Sequence, residues 1–369
     1  MTSPENRVRR VLMTADTVGG VWTYAMELCR GLARDSVEVI LATMGAPLRP
    51  DQRETIASLT NVTLRESSFA LEWMENPWED VASAGEWLWG LEREFEPDIV
   101  HVNGYVHGNL PWSAPVVVVA HSCVLSWWKA VRGSDAPEEW SRYAEAVRRG
   151  LQSATKVVAP THWMAEQART HYDLSEPVAV IPNGANAKRF SIGYPKENMV
   201  VSVGRVWDEG KNIRALAAVA PQLPWKVYVA GETRSPNGEA HPVGGIRTLG
   251  YLSANETAEW LGRAKIFALP ARYEPFGLSV LEAALAGCAL VLGDIPSLRE
   301  LWNDAAVFVE PNDEPGLKTA CLGLIEDAER REELAQRARA RGKQLTAERM
   351  TDAYARLYQH LFETRKIAF

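Results

Sequence analysis

Residues 272–282 read Arg-Tyr-Glu-Pro-Phe-Gly-Leu-Ser-Val-Leu-Glu and hold the densest chemistry in the chain. One apolar run, 265–270, precedes them and another, 289–292, follows, so the order reads strand, glycine turn, helix, strand. Such a turn leaves backbone N–H groups without intrahelical partners at the helix start, where an anion is favoured. Glu274 stands before the turn and Glu282 inside the helix. A phosphate at the helix start, with carboxylates on both sides to take hydroxyls, makes a sugar-nucleotide pocket.

Other polar residues fall at the ends of apolar runs. Gly204 and Arg205 follow the strand 199–203, and Lys211 follows the acidic turn 208–210. Two cations converging there would stabilise charge that develops on the oxygens of a departing diphosphate; alone, each also reads as a surface residue. Gly19-Gly20 lies between the first strand and first helix, the anion-contact position of a doubly wound domain. No third glycine follows at the required place, so it is not a dinucleotide fingerprint, and close strand–helix packing explains it equally. Asp16 either accepts from a sugar or caps that turn. His121 follows the strand 116–120; its imidazole could donate to a substrate hydroxyl and its carbonyl face developing positive charge, or it is structural. His101 and His107, then His162 and His171, are further candidates, but no set matches a metal spacing. Pro182-Asn183-Gly184 reads as a turn, or as a site where Asn183 orients a ligand.

The elements that position these groups alternate in two series. Residues 10–14, 37–42, 98–102, 116–120, 156–159 and 178–181 read as strands. Helices are expected over 21–32, 79–94, 138–151 and 161–170, the last opened by a capping threonine. The rhythm breaks at 185–198. It resumes with strands 199–203, 225–230, 246–249, 266–269, 289–292 and 306–309, helices 213–220, 255–261 and 278 onward, a charged helix 329–341 and a terminal helix 350–362. Nearly all-apolar strands separated by helices argue for α/β domains with parallel sheets covered on both faces. Such sheets bind ligands beyond their carboxyl ends, where the strand order switches.

Composition narrows the rest. At 369 residues two domains are expected, and 46% apolar with 24% charged residues is an ordinary globular balance. A net charge of −7 gives no support for a nucleic-acid partner. The four cysteines are far apart and read as reduced core thiols, in keeping with a cytoplasmic protein. No signal peptide or 18-residue apolar span is evident, so weak peripheral attachment is the most membrane contact expected. Many of the 14 tryptophans lie between Trp22 and Trp128, where they line either a cleft or a wet core edge.

The ordered set Gly19-Gly20, Pro182-Asn183-Gly184, Gly204-Arg205 with Lys211, Ala230-Gly231, Leu249-Gly250 and Glu274-Pro-Phe-Gly-Leu with Glu282 resembles the retaining glycosyltransferases of family 4, through their two-glutamate motif. The resemblance covers nearly the whole chain. It implies a GT-B fold, two Rossmann-like parallel-sheet domains facing across a cleft: 1–186 for the acceptor, 187–345 for a nucleotide diphosphate sugar, and 346–369 as a terminal helix returning to the first domain. By resemblance, Glu274 would contact a donor-sugar hydroxyl, and the Phe276, Gly277 and Leu278 backbone would hold the sugar and phosphate side. Ser279 would assist at the diphosphate, and Glu282 would bind the ribose. Arg205 and Lys211 would clamp the diphosphate, beside Gly204 and with Gly20 helping from the other domain. His121 would touch the transferred sugar. Neither metal nor cofactor would be needed, and front-side attack would retain configuration without a protein nucleophile.

Specificity is where the chain departs from that pattern. Trp22 stands where an acceptor would enter and Trp127-Trp128 follow His121, so Asp16, Trp22, Trp127, Trp128 and Asn183 form the expected acceptor site. The polar loop 234–242 has no assigned role. Two other accounts use the same fold: a sugar phosphorylase or sugar-phosphate synthase, and a non-catalytic carbohydrate-binding or assembly protein. A phosphorylase using pyridoxal phosphate would want a committed lysine that nothing here singles out. Retention of both acids and both cations weighs against an inert protein.

Overall fold

The computed structural model describes residues 7–190, 193–235, 238–239 and 241–367. Pro236, Asn237 and Ala240 of the loop 234–242, residues 191–192 of the linker, 1–6 and 368–369 lie outside the described residues. Two compact units emerge, one from 1–126, 135–184 and 347–369, the other from 127–134 and 185–346.

In the first unit the strands are β1 (Arg10–Asp16), β2 (Glu38–Met44), β3 (Val62–Glu66), β4 (Ile99–Val102), β5 (Val116–Val119), β6 (Lys156–Ala159) and β7 (Ala179–Val180). They form one sheet in the order β3-β2-β1-β4-β5-β6-β7, every described pairing parallel. The helices are α1 (Gly20–Leu32), α2 (Pro50–Ala57), α3 (Trp78–Phe95), α4 (Val124–Arg132, whose last residues belong to the second unit), α5 (Ser141–Ser153) and α6 (His162–His171). Burial explains the pairing. All four valines of β5 and the five central residues of β1 are buried, as expected of strands covered on both faces, while edge strands β3 and β7 are half-exposed.

The second unit repeats the plan with β8 (Glu197–Val203), β9 (Lys226–Ala230), β10 (Arg247–Gly250), β11 (Ala264–Leu269), β12 (Ala289–Gly293) and β13 (Ala306–Val309). Their order is β10-β9-β8-β11-β12-β13, again parallel. Its helices are α7 (Ile213–Val219), α8 (Ala254–Arg263), α9 (Leu278–Leu285), α10 (Pro296–Trp302), α11 (Glu314–Glu326) and α12 (Ala328–Gly342). Its core runs from Val200 and Val201 of β8 through Phe267 and Leu269 of β11 to Leu290 and Leu292 of β12. The α/β class expected from the alternating apolar runs, two Rossmann-like parallel-sheet units, is therefore observed.

The last helix, α13 (Ala347–Ile367), packs on the first unit beside α1. Gly31 of α1 makes the approach feasible: a Cβ there would come 1.9 Å from Thr351 Oγ1 of α13. No helix among the described residues is long and apolar enough to cross a membrane.

Candidate functional site

In the second unit the order of strands reverses between β8 and β11, and polar side chains gather where their carboxyl ends open a crevice. From β8 the chain runs into Gly204 and Arg205, then through Asp208 into a 3-10 turn, Glu209–Lys211. From β11 it runs through 270–273 to Glu274. Gly210 O accepts from Arg272 N at 2.8 Å and Tyr273 N at 3.1 Å, which stitches the two loops together. Asn212, buried and left-handed at φ 56°, donates its amide to Pro270 O at 2.8 Å and Pro311 O at 2.7 Å.

The stitching brings Lys211 to Glu274. Lys211 Nζ donates to Glu274 Oε2 at 2.6 Å, with 16% and 11% of the two side chains exposed. Gly277 N donates to Glu274 Oε1 at 3.0 Å, and Ser297 Oγ donates to Glu274 O at 2.6 Å. The carboxylate is thus clamped by a cation, a backbone amide and a fixed main chain. Gly277 is the N-cap of α9 at φ 83°, a left-handed conformation that costs a side chain about 1–2 kcal/mol. One expectation is refined here. Gly277 N–H is committed to Glu274, so the first-turn amides left for an external anion are those of Leu278, Ser279 and Val280. Phe276 is buried under this turn, while Leu278, Ser279 and Glu282 are partly exposed.

Arg205 is also paired. Its Nη2 donates to Asp208 Oδ2 at 2.7 Å, and its guanidinium lies 4.9 Å from the Trp207 ring centroid. Asp208 Oδ1 accepts from Gly210 N at 2.9 Å and from Trp127 Nε1 at 3.4 Å. Burial opposes ionisation of Asp208, but Arg205 and Lys211 outweigh it and hold the carboxyl below its ordinary range. Both expected cations therefore stand in the loop that follows β8, each already oriented by a carboxylate. Trp127 and Trp128 are partly exposed and edge-on to each other at 5.9 Å, with Arg132 5.7 Å from both rings.

In the first unit the reversal falls between β1 and β4. Thr14 and Asp16 end β1, Gly20 begins α1 with Trp22 partly exposed on its first turn, Asn103 follows β4, and His121 follows β5. His121 Nε2 lies 2.8 Å from Asn103 Oδ1, and its ring meets Tyr24 edge-on at 4.6 Å. Burial, then the neighbouring His101, pushes its pKa down to about 3, so the imidazole is neutral. Asp16 Oδ1 accepts from Val18 N at 2.5 Å, so it does cap the glycine turn. Asn183 is buried, and its Oδ1 has no hydrogen-bond partner among the described residues.

His101 and His107 are not ligand-facing. His101 is fully buried, with Nδ1 2.6 Å from the Tyr358 hydroxyl. His107 Nε2 bonds Val81 O at 3.0 Å. Among the described residues no three His, Cys, Asp or Glu side chains group as metal ligands. Sequence reasoning missed Asn103, Asp208, Asn212 and Ser297. For Asn103 the signal was present, a polar residue directly after an apolar strand, as at His121.

Residues 18–189 match the family model described as Glycosyltransferase Family 4, and residues 185–341 match Glycosyl transferases group 1. A glycogen synthase of Mycobacterium tuberculosis is 27% identical, the match covering 68% of this chain and 66% of that protein. The chain thus spans just under two thirds of that relative's length. A D-inositol 3-phosphate glycosyltransferase of Kineococcus radiotolerans is 25% identical over 92% of this chain and 91% of its own. Anabaena HepE in complex with UDP-glucose superposes with a TM-score of 0.74 at 16% identity, covering 94% of this chain and 98% of that one. The two family models between them take residues 18–341, which makes this chain a GT-B-fold relative of the family 4 and group 1 glycosyltransferases.

Proposed function

We propose that the chain is a retaining hexosyltransferase that moves a sugar from a nucleotide diphosphate sugar to a hydroxyl of a saccharide or small glycoconjugate. The observation that carries this reading is the clamped Glu274, held by Lys211 and Gly277 at the start of α9. A carboxylate fixed in this way accepts from a donor-sugar hydroxyl without reorganising, while Lys211 and Arg205 bring positive charge to the diphosphate. Leu278 and Ser279 amides add the partial positive charge of the helix start, and Glu282 takes the ribose. Gly204 and Phe276 shape the floor of this donor site. The bound UDP-glucose of the HepE structure is the kind of donor proposed.

Gly20 and His121 of the first unit are assigned to the donor, Asp16, Trp22 and Asn183 of the same unit to the acceptor, and Trp127 and Trp128 of the second unit serve as stacking surfaces. Transfer proceeds on one face of the sugar. The acceptor oxygen bonds to the anomeric carbon as the carbon–oxygen bond to the diphosphate breaks. That bond's electron pair stays on the diphosphate oxygen, which takes the acceptor's proton. Fixed cations favour this charge movement; mutational precedent for a single preorganised donor is about 3 kcal/mol of barrier.

The test is incubation with uridine, guanosine and adenosine diphosphate hexoses and a panel of saccharide and polyol-phosphate acceptors. Nucleoside diphosphate release should depend on one donor, and proton NMR of the product should show the donor's anomeric configuration. Inverted product, or orthophosphate-dependent release of a sugar phosphate, would refute the reading.

A further inference from the structure

Five polar or aromatic side chains behind His121 form a largely buried chain whose hydrogen-bond directions can be assigned from one end. Asn103 sets the direction. Its N accepts no bond but donates to Thr14 Oγ1 at 2.9 Å, and its Nδ2 donates to Thr14 O at 2.7 Å. A backbone carbonyl can only accept, so the NH2 end of the amide faces Thr14 and Oδ1 faces the other way. Two imidazole nitrogens meet that oxygen, His121 Nε2 at 2.8 Å and His101 Nε2 at 3.1 Å. An amide oxygen has no proton, so both nitrogens donate. The Tyr24 hydroxyl oxygen, 3.3 Å from His101 Nε2, shares that second N–H. His101 Nδ1 then accepts from the Tyr358 hydroxyl of α13 at 2.6 Å.

We propose that Asn103 is a positioning residue that locks His121 as its neutral Nε2–H tautomer, leaving Nδ1 to accept a hydrogen bond from a hydroxyl of the transferred sugar. This rests on the placement of His121 at the sugar proposed above. It reverses the direction expected from sequence, in which the imidazole donates. A hydroxyl can donate to Nδ1, whereas a carboxylate placed there would set two acceptors against each other. The groups packed about His121 agree with a neutral ring: Tyr24 of α1 edge-on, and His101 of β4 backed by Tyr354 at 5.3 Å and Tyr358 of α13. Burial also pushes the His101 pKa down to about 4, so neither imidazole charges near neutrality.

The full chain labelled with 15N-histidine tests this, with the His121 signal among the seven histidines assigned by its loss in His121→Gln. Two-bond proton–nitrogen spectra should show a protonated Nε2 and an unprotonated Nδ1 for His121, unchanged between pH 5 and 8. Asn103→Asp, nearly isosteric, should raise the His121 pKa, protonate both nitrogens at pH 6 and lower kcat/KM there by roughly tenfold, with recovery as the pH rises. A proton on Nδ1 in the wild-type protein, or an Asn103→Asp spectrum identical to wild type, would overturn the lock. The spectra need no turnover, so they separate this proposal from the transferase reading itself. If the tautomer is as stated but His121→Gln leaves donor turnover intact, the sugar contact is wrong.

Discussion

Lys211 and Glu274 do two jobs with one ion pair, and that sets what their loss should do. The pair is largely buried, so removing either partner strands a charge. Lys211→Ala should lower kcat by roughly 10²–10³, the range for loss of one preorganised charge donor, and lower the melting temperature as well. Glu274→Gln keeps the shape, so it should melt closer to wild type while still losing kcat; steady-state kinetics with differential scanning fluorimetry separates the effects. Asp208 gives a pH test with a definite sign. Its folded-state pKa is depressed, so its contribution to stability is fully present above the ordinary carboxylate value near 3.8 and fades as pH falls through the lower folded value. Wild type should therefore exceed Asp208→Asn in stability from pH 8 down to about 4, the gap closing only in more acid solution; urea midpoints across pH 2–8 check this. The two-glutamate stretch was legible because residue types and a glycine turn are local information. The partners that aim it, Asn212 and Ser297, were not, because those contacts join segments far apart in the chain.

At the scale of elements, the site depends on a few backbone conformations. Gly277→Ala would place a Cβ 3.0 Å from Val280 Cγ2 in a left-handed turn, and should cost about 1–2 kcal/mol while displacing Glu274. Nucleoside diphosphate affinity should fall with it, as read by calorimetry. The central strands were readable as unbroken apolar runs because burial on both faces removes any alternation. Edge strand β3, with Arg65 and Glu66 in five residues, carries no such run and was not expected. Helices α2, α4, α10 and α11 were also missed. The apolar spacing of α11 is diluted by Pro315, Gly316 and Gly323, and α10 is only seven residues long. In α4, the adjacent Trp127 and Trp128 mask the helical register of Val124–Arg132.

For the whole molecule, the same βα plan occurs twice, and each copy places its polar groups where its strand order reverses. That repetition was visible in sequence as two series of apolar runs; the completion of the first unit by α13 depends on side chains that no local pattern reveals. Tyr354, Tyr358 and Thr351 of α13 are fully or almost fully buried, and Gly31 of α1 admits them. Gly31→Ala should overpack this seam and destabilise the protein by about 1–3 kcal/mol, read from chemical unfolding. In the proposed reaction Arg205, Lys211 and the start of α9 capture the diphosphate of a nucleotide sugar. Calorimetric titration of wild type, Arg205→Ala and Lys211→Ala with the nucleoside diphosphate of the active donor tests it most directly. Affinity should be at least tenfold weaker in each variant. Unchanged affinity in both variants, with their folds intact, would contradict it.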